Sequence, residues 1–373
     1  MAKLGEVCTI VSGSTPKTSV TSYWDGNIKW ITPAELNEDT FYIMDSVRHI
    51  TEEGKEKTGL SYLPTGTVIL SSRAPIGKTA IAGCEMCCNQ GFKNLICSVA
   101  IYNEYLYFFL KSKTDYLNSL GRGATFKEIS KSIVENIEIP LPEVNQQKEI
   151  AEKFKKLEQL ISLRKQQLAK LDELVKARFV EMFENVTEEN ALENLCHFID
   201  YRGKTPEKSD SGLPFITAKN IRMHYMSFDT QEFISKENYD KVMTRGIPKV
   251  GDVVFTTEAP LGNVCRIPQF DTGFYIGQRI ITMQTKLLNP VYLEYALSSD
   301  DFKRKLVGKS SGSTVTGIRS KLLGKLTIPV PSKGLQNQFA AFVERVDKQK
   351  QTVQQSLDKL ELMKKALMQD YFG

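Results

Sequence analysis

Ser72-Arg73-Ala74-Pro75-Ile76-Gly77-Lys78-Thr79 ends like a phosphate-binding loop, where backbone N–H groups cradle phosphates and a lysine reaches over them. Ser72 stands where that loop needs its first glycine, and Pro75 removes a backbone donor from the cradle. A turn between two strands is the better account. Asn289-Pro290-Val291-Tyr292 approaches the Asn-Pro-Pro-aromatic motif with which amino-methyltransferases orient a target amine. Its second proline is missing, and no Gly-rich cofactor loop follows a strand elsewhere. Pro290 instead predicts the first turn of a helix running to Leu297. Cys84, Cys87 and Cys88, with Cys97 beyond, raise a metal site, but the second Cys-x-x-Cys knuckle is absent. Buried or incidental thiols are the expectation. The three histidines, His49, His197 and His224, show neither ligand spacing nor an adjacent nucleophile, and no carboxylate pair stands out. The chain is expected to be non-catalytic, with no catalytic residue, no metal and no cofactor of its own.

These stretches sit in a chain of 373 residues, longer than one compact core usually serves. Apolar residues make up 41% and charged residues 25%, an ordinary globular balance. No run approaches the roughly 18 apolar residues of a membrane span. Met1-Ala2-Lys3-Leu4-Gly5-Glu6-Val7 has no secretory apolar core, so a cytoplasmic protein is expected, its seven cysteines reduced. Net charge is +5, unevenly spread: residues 1–140 carry 14 Lys and Arg against 15 Asp and Glu, and residues 190–331 carry 19 against 14. That permits nucleic-acid binding without arguing for it.

The near-motifs lose their catalytic reading because the chain is a repeat. Gly13-Ser14-Thr15-Pro16-Lys17 returns as Gly203-Lys204-Thr205-Pro206-Glu207, and Trp30-Ile31-Thr32-Pro33-Ala34 as Phe215-Ile216-Thr217-Ala218-Lys219. Gly66-Thr67-Val68-Ile69 becomes Gly251-Asp252-Val253-Val254. The apparent phosphate loop returns as Thr257-Glu258-Ala259-Pro260-Leu261-Gly262-Asn263-Val264, without a lysine. Tyr102-Asn103-Glu104-Tyr105 likewise lacks the methyltransferase motif of its partner stretch. Ile137-Glu138-Ile139-Pro140-Leu141-Pro142 returns as Leu326-Thr327-Ile328-Pro329-Val330-Pro331. The order never changes. Each copy opens with short β-branched and aromatic runs between Gly and Pro punctuation, which read as strands and turns with a few helices.

Each Pro-x-Pro then launches a long helix, free of Pro and Gly from Asn145 to Phe183 and from Leu335 to Phe372. Apolar residues recur at steps of four and three: Ile150, Phe154, Leu157, Ile161, Leu168, Leu171, Val175, Met182. The second frame gives Phe339, Val343, Val346, Val353, Leu357, Leu360, Leu367 and Tyr371. Arg164 and Arg178 interrupt the first seam, Lys350 and Lys364 the second. This is coiled-coil spacing, and about 38 residues make a rod nearly 60 Å long. The helices could be separate tails that each bind another protein. Pairing with each other, antiparallel as pseudo-twofold symmetry demands, is the reading the interrupted seams favour.

In these features the sequence resembles the specificity subunits of type I restriction–modification enzymes. The resemblance rests on the order and duplication of the Gly13 and Gly203 signposts, the Ala74-Pro75 and Ala259-Pro260 turns, and the Pro-x-Pro exits followed by Gln147 with Ile150 and Gln336 with Phe339. Gly312-Ser313-Thr314 with Ile318, and Gly123-Ala124-Thr125 with Ile129, also match. Ala124 departs from the pattern's serine, and Glu258 stands where the first copy has Arg73.

The resemblance implies an α+β protein. Two pseudo-symmetric α/β target-recognition domains (1–143 and 187–332) are separated by two long helices (144–186 and 333–373) that form an antiparallel coiled-coil spacer. It implies a sequence-specific reader of a bipartite double-stranded DNA target that docks two methyltransferase subunits and the restriction/translocase subunits. S-adenosylmethionine, ATP and Mg are then expected in those partners only, and no membrane is involved. A symmetric interaction scaffold that does not read DNA is the alternative, and an adenine methyltransferase or nucleotide-binding enzyme a more distant one.

Base edges are read by Arg, Lys, Asn and Gln, and phosphates accept from Lys, Arg, hydroxyls and backbone N–H groups. The DNA-binding candidates in the first copy are Ser14, Thr15, Lys17, Arg73, Lys78, Gln90, Lys93, Arg122 and Lys127. In the second they are Lys204, Thr205, Lys219, Arg222, Arg245, Arg266, Gln278, Arg279 and Arg319.

Overall fold

The computed structural model describes residues 1–37, 40–73, 75–122, 127–203, 206–309 and 317–373. The chain divides into two compact units, Met1–Lys165 with Gln355–Gly373, and Gln166–Gln354.

In the first unit, the β-branched runs predicted as strands pair into a five-stranded sheet in the order Cys8–Ser12, Phe92–Cys97, Val68–Ser71, Thr79–Ala82, Tyr42–Ile43. Pairing is antiparallel except for the last strand, and Val68 faces Leu95 on one side and Ile81 on the other. The helix Asn103–Ser112 buries Tyr105, Leu106, Tyr107, Phe108, Phe109 and Leu110. A helix apolar all round has to lie inside, and this one joins a core with Leu70, Ile81 and Leu95 of the sheet. A smaller sheet, Arg48–Ile50, Trp24–Ile31, Cys87–Cys88, has its own core of Trp24, Ile28, Trp30, Ile50, Leu60 and Cys87.

The second unit repeats the plan. Its main sheet runs His197–Asp200, Ile280–Gln284, Val253–Thr256, Val264–Arg266, all antiparallel, and its small sheet Phe233–Ile234, Leu213–Ile216, Tyr275–Ile276. The helix Pro290–Ser298 takes the place of Asn103–Ser112. It starts as proline placement predicts, with the Asn289 side chain capping Val291 N at 2.9 Å.

The Pro-x-Pro exit closes each copy in the same way. Glu138–Ile139 pairs with Ala2–Lys3, and Thr327–Pro329 with Glu189–Ala191. Tyr105 donates its hydroxyl to Pro140 O at 2.8 Å, and Tyr292 to Pro329 O at 2.6 Å. The Gln that follows is fully buried and clamps the exit. Gln147 donates to Ala100 O (3.0 Å) and Pro142 O (2.8 Å) and accepts from Tyr102 N (2.8 Å). Gln336 donates to Pro331 O (2.8 Å) and accepts from Asn289 N (2.7 Å).

The long helices span Val144–Phe183 and Lys333–Phe372. They pair, which rules out the two separate tails. In the first unit Lys153 meets Tyr371, Glu158 meets Lys364 and Lys165 meets Glu361, at 3.0, 2.7 and 3.3 Å. In the second unit Asp172 meets Lys350 at 2.5 Å, and the Arg178 guanidinium lies 5.9 Å from the Phe342 ring centroid. Numbers rise on one helix as they fall on the other, so the pairing is antiparallel. The predicted seam is inward: Ile150, Phe154, Leu157, Ile161 and Val175 are buried, as are Phe339, Val343, Val346, Val353 and Leu357. The seam's charged interruptions Lys350 and Lys364 are the residues that bond across to Asp172 and Glu158. Each helix also ends on a buried phenylalanine. Phe372 packs 5.3 Å from Tyr105 and stacks 5.6 Å from Phe154. Phe183 lies 4.8 Å from Tyr292 and 5.4 Å from Phe339.

Candidate nucleic-acid interface

The apparent phosphate loop is a hairpin turn between Val68–Ser71 and Thr79–Ala82. Ser71 Oγ donates to Pro75 O at 2.7 Å and accepts from Lys78 N at 2.9 Å, and Gly77 sits at φ +95°, where a side chain would be strained. Lys78 Nζ donates to Pro33 O (3.2 Å) and Leu36 O (2.6 Å), so its ammonium ties two segments of the domain together. The second copy builds the same turn with Thr256, whose hydroxyl donates to Pro260 O at 2.5 Å and accepts from Asn263 N at 2.9 Å.

At the base of each turn sits an ion-pair node. In the first copy Glu128 accepts from Arg73 Nε at 2.9 Å and from Lys93 Nζ at 3.2 Å. Burial alone would raise the Glu128 pKa, but the hydrogen bonds from Lys93 and Arg73 outweigh it and hold the carboxyl below its ordinary range. Arg73 bridges Glu128 through the backbone, and so does Glu258 with Gly317. In the second copy the acid is therefore on the turn: Glu258 accepts from Arg279 Nε at 2.9 Å. Lys93 lies on Phe92–Cys97 opposite Leu70, whereas Arg279 stands just before Ile280–Gln284 at the position of Gly91: Ser72 N donates to Gly91 O and Thr257 N to Arg279 O. The turn residue keeps its place and reverses its sign, and its partner comes from a different position in each copy.

The other candidates scatter around these turns. Ser14 N donates to Cys88 O at 3.0 Å, and the Thr15 hydroxyl bonds the Gln90 side chain, so this loop and the Gln90 turn are joined. The close approach needs Gly13, where a Cβ would lie 2.0 Å from Asn89 O. Arg222 Nη1 donates to Lys219 O at 2.5 Å, and Arg245 Nη1 to Asp200 O (2.9 Å) and Arg202 O (2.8 Å). Arg266 is turned away to structural work, with Nε 2.5 Å from buried Glu294 and Nη2 3.7 Å from Asp347 on the long helix. Lys17, Arg122, Lys127, Lys219 and Arg319 are exposed, and Gln278 is half-buried. Among the described residues, none of those five cations forms a salt bridge. Lys204, Thr205, Ala74 and the Gly123-Ala124-Thr125 and Gly312-Ser313-Thr314 turns lie outside the described residues.

The cysteines take different environments. Cys87 is in the small-sheet core and Cys88 in the core between the sheets, and burial pushes their thiols up to about 11 and about 12. Neutral thiols are poor metal ligands. Among the described residues, no three His, Cys, Asp or Glu side chains are grouped to hold a metal ion. Likewise among them, no helix is long and apolar enough to cross a membrane. Sequence reading missed Glu128, which lies far along the chain from both of its cations, and noted Glu258 only as a departure without its partner Arg279. It also missed the stack of Arg48 on Trp24, centroid distance 3.6 Å.

A sheet-and-helix domain built twice in one chain, each copy closed by a Pro-x-Pro strand and continued by a long helix paired antiparallel, defines a duplicated two-domain architecture. The sequence matches the family described as "Type I restriction modification DNA specificity domain" over residues 1–173 and again over 187–362. The chain belongs to that family, the specificity subunits of type I restriction–modification systems. It is 32% identical over 319 residues to the type I restriction enzyme MjaIX specificity subunit of Methanocaldococcus jannaschii, covering 83% of this chain and 64% of that one. The MjaVIII specificity subunit of the same organism is 24% identical, over 71% of this chain and 68% of its own. The fold is that of the S subunit from M. genitalium (TM-score 0.59, 16% identity, 100% of this chain and 95% of that one). A chain from a structural study of complex assembly and conformational transition of the type I R-M system agrees (TM-score 0.65, 17% identity, 99% and 96%).

Proposed function

We propose that this chain reads a bipartite double-stranded DNA target, one half-site per recognition domain, and docks two methyltransferase subunits and the restriction/translocase subunits. It supplies no catalytic group. S-adenosylmethionine, ATP and Mg belong to the partners, and the assembly works in the cytoplasm. The observation that carries this is a scaffold repeated in detail while its turn chemistry diverges. The buried Gln clamps, the Tyr-to-Pro bonds and the Ser71 and Thr256 turns recur, yet the ion-pair node they support changes sign. Two readers of different sequences on one frame require that combination, since phosphate contacts position and side chains on base edges specify. Linked readers also gain affinity through effective concentration.

The test is adenine methylation mapped genome-wide in cells carrying this chain with its modification partner, against cells carrying that partner alone. A split motif methylated only when the chain is present is the expected result. No chain-dependent motif, with an expressed and competent partner, would leave a scaffold that does not read DNA.

A further inference from the structure

The two small sheets provide an internal reference for a site that the DNA-reading proposal does not use. Thr32 N donates to Glu35 Oε1 at 2.7 Å, and Thr217 N donates to Asn220 Oδ1 at 2.9 Å, which fixes the equivalence of the strands that precede them. Antiparallel register places Trp30 opposite Arg48. In the second domain Pro214 pairs with Phe233, and Phe215 N donates to Glu232 O at 2.8 Å, so Phe215 stands opposite Glu232. The aromatic is kept and its cross-strand cation has become an acid.

The surroundings of the two positions differ. In the first domain the Arg48 guanidinium lies 3.6 Å from the Trp24 centroid and 5.9 Å from that of Trp30, the geometry of a cation on an aromatic face. In the second, a cavity of about 110 Å³ opens, walled by Phe215, Ile216, Phe228, Phe233 and Phe270 with Glu232 in its lining. Phe270 is held by stacking on Phe274 at 4.5 Å, and Phe228 meets it edge-on at 5.7 Å. Phe228 is 41% exposed, so one wall of the cavity faces solvent. Lys208 Nζ lies 2.9 Å from Glu232 Oε2, with the lysine side chain 57% and the glutamate side chain 25% exposed, so an arriving cation competes with a lysine that solvent already screens.

We propose that this cavity is a docking site for an arginine side chain of a partner protein. The guanidinium enters beside Glu232, the register counterpart of Arg48. A planar, weakly hydrated cation gains from aromatic walls, and its fork can pair with a carboxylate through two hydrogen bonds. Lysine, a compact and strongly hydrated charge, gains less from the same walls. A DNA strand is disfavoured, because Glu232 would repel its phosphates. An unstacked nucleobase is the competing occupant, since it also stacks on aromatic rings.

The experiment is saturation-transfer difference NMR on the full chain with N-acetyl-arginine amide, N-acetyl-lysine amide and deoxyadenosine monophosphate as separate probes. The arginine probe should give the strongest signal, falling about threefold or more in Phe228→Ala and in Glu232→Gln as aromatic and carboxylate contacts are lost. Glu232→Arg supplies the guanidinium internally and should abolish the signal without lowering the melting temperature. Should that variant misfold, the other two decide. An arginine signal equal in wild type and both variants overturns the proposal. A Phe228-dependent signal from the nucleotide alone overturns it in favour of a base site.

Discussion

In the first recognition domain the turn after Val68–Ser71 presents a cation, Arg73, and Glu128 on a later segment holds both it and Lys93. In the second, the equivalent turn presents Glu258, and Arg279 supplies the charge. The small sheets repeat the exchange, with Arg48 in one domain and Glu232 at the same register position in the other. Duplication has preserved the turn and the strand register while freeing the sign that each position carries and the position from which its partner comes. Buried polar contacts show the opposite behaviour. Gln147 and Gln336 are the same residue because an unpaired backbone group inside a protein costs more than an altered ion pair at its edge. The buried Gln clamps thus stay fixed, while the charges at the turns diverge, buried Lys93 among them.

The largest effect should come from the seats of the long helices, where the two domains are most alike. Phe372 and Phe183 are both 4% exposed and fill equivalent aromatic clusters. Phe372→Ala and Phe183→Ala should each cost on the order of 3–5 kcal/mol, the usual penalty for emptying a buried aromatic site. Hydrogen exchange read peptide by peptide checks the comparison. Phe372→Ala should release protection in Asn103–Ser112 and spare Pro290–Ser298, and Phe183→Ala should do the reverse. Equal loss in both helices would mean the units do not fold separately.

A smaller effect sharpens the likeness of the clamps. Gln147 serves Tyr102 N, Ala100 O and Pro142 O, whereas Gln336 serves Asn289 N and Pro331 O. Replacing either by Ala strands buried backbone groups, at about 1–3 kcal/mol. Gln147→Ala should be the more damaging, because it orphans one more group. Urea denaturation of the two variants side by side would show this in their midpoints, and a larger loss for Gln336→Ala would contradict it.

The repeat, the Pro-x-Pro exits and the helical seams were legible in the sequence because each depends on local spacing or on residues that a fixed geometry demands. Pro290 declared its helix, and the Ser71 turn its hairpin, for the same reason. The small sheets were not legible. Their parallel pairings, Trp30 with Cys87 and Phe215 with Tyr275, join segments nearly sixty residues apart, and no local period encodes them. The candidate interface was legible only as a set of cations. Which cations are spent inside the fold depends on acceptors far away in sequence, as with Lys78 on Pro33 and Leu36 or Arg266 on Glu294 and Asp347.

The smallest effect concerns the reversed node and has a definite sign in pH. Glu128 titrates below its ordinary range in the folded chain, held there by Lys93 and Arg73 against the opposing push of burial. A carboxyl with a depressed folded pKa stabilises above its unfolded value, near 4.5, and that contribution fades as pH falls through the folded one. Glu128→Gln should therefore lower stability at neutral pH and converge on the wild type in acid. With its side chain 34% exposed, the node is screened, so the neutral-pH loss should be only about 0.5–1 kcal/mol. Thermal melts of both proteins between neutral pH and the acid limit of folding measure the difference. A gap that persists undiminished in acid would mean the carboxylate's charge is irrelevant there. The node would then hold its turn by shape alone, and its reversal in the second domain would need no compensating cation.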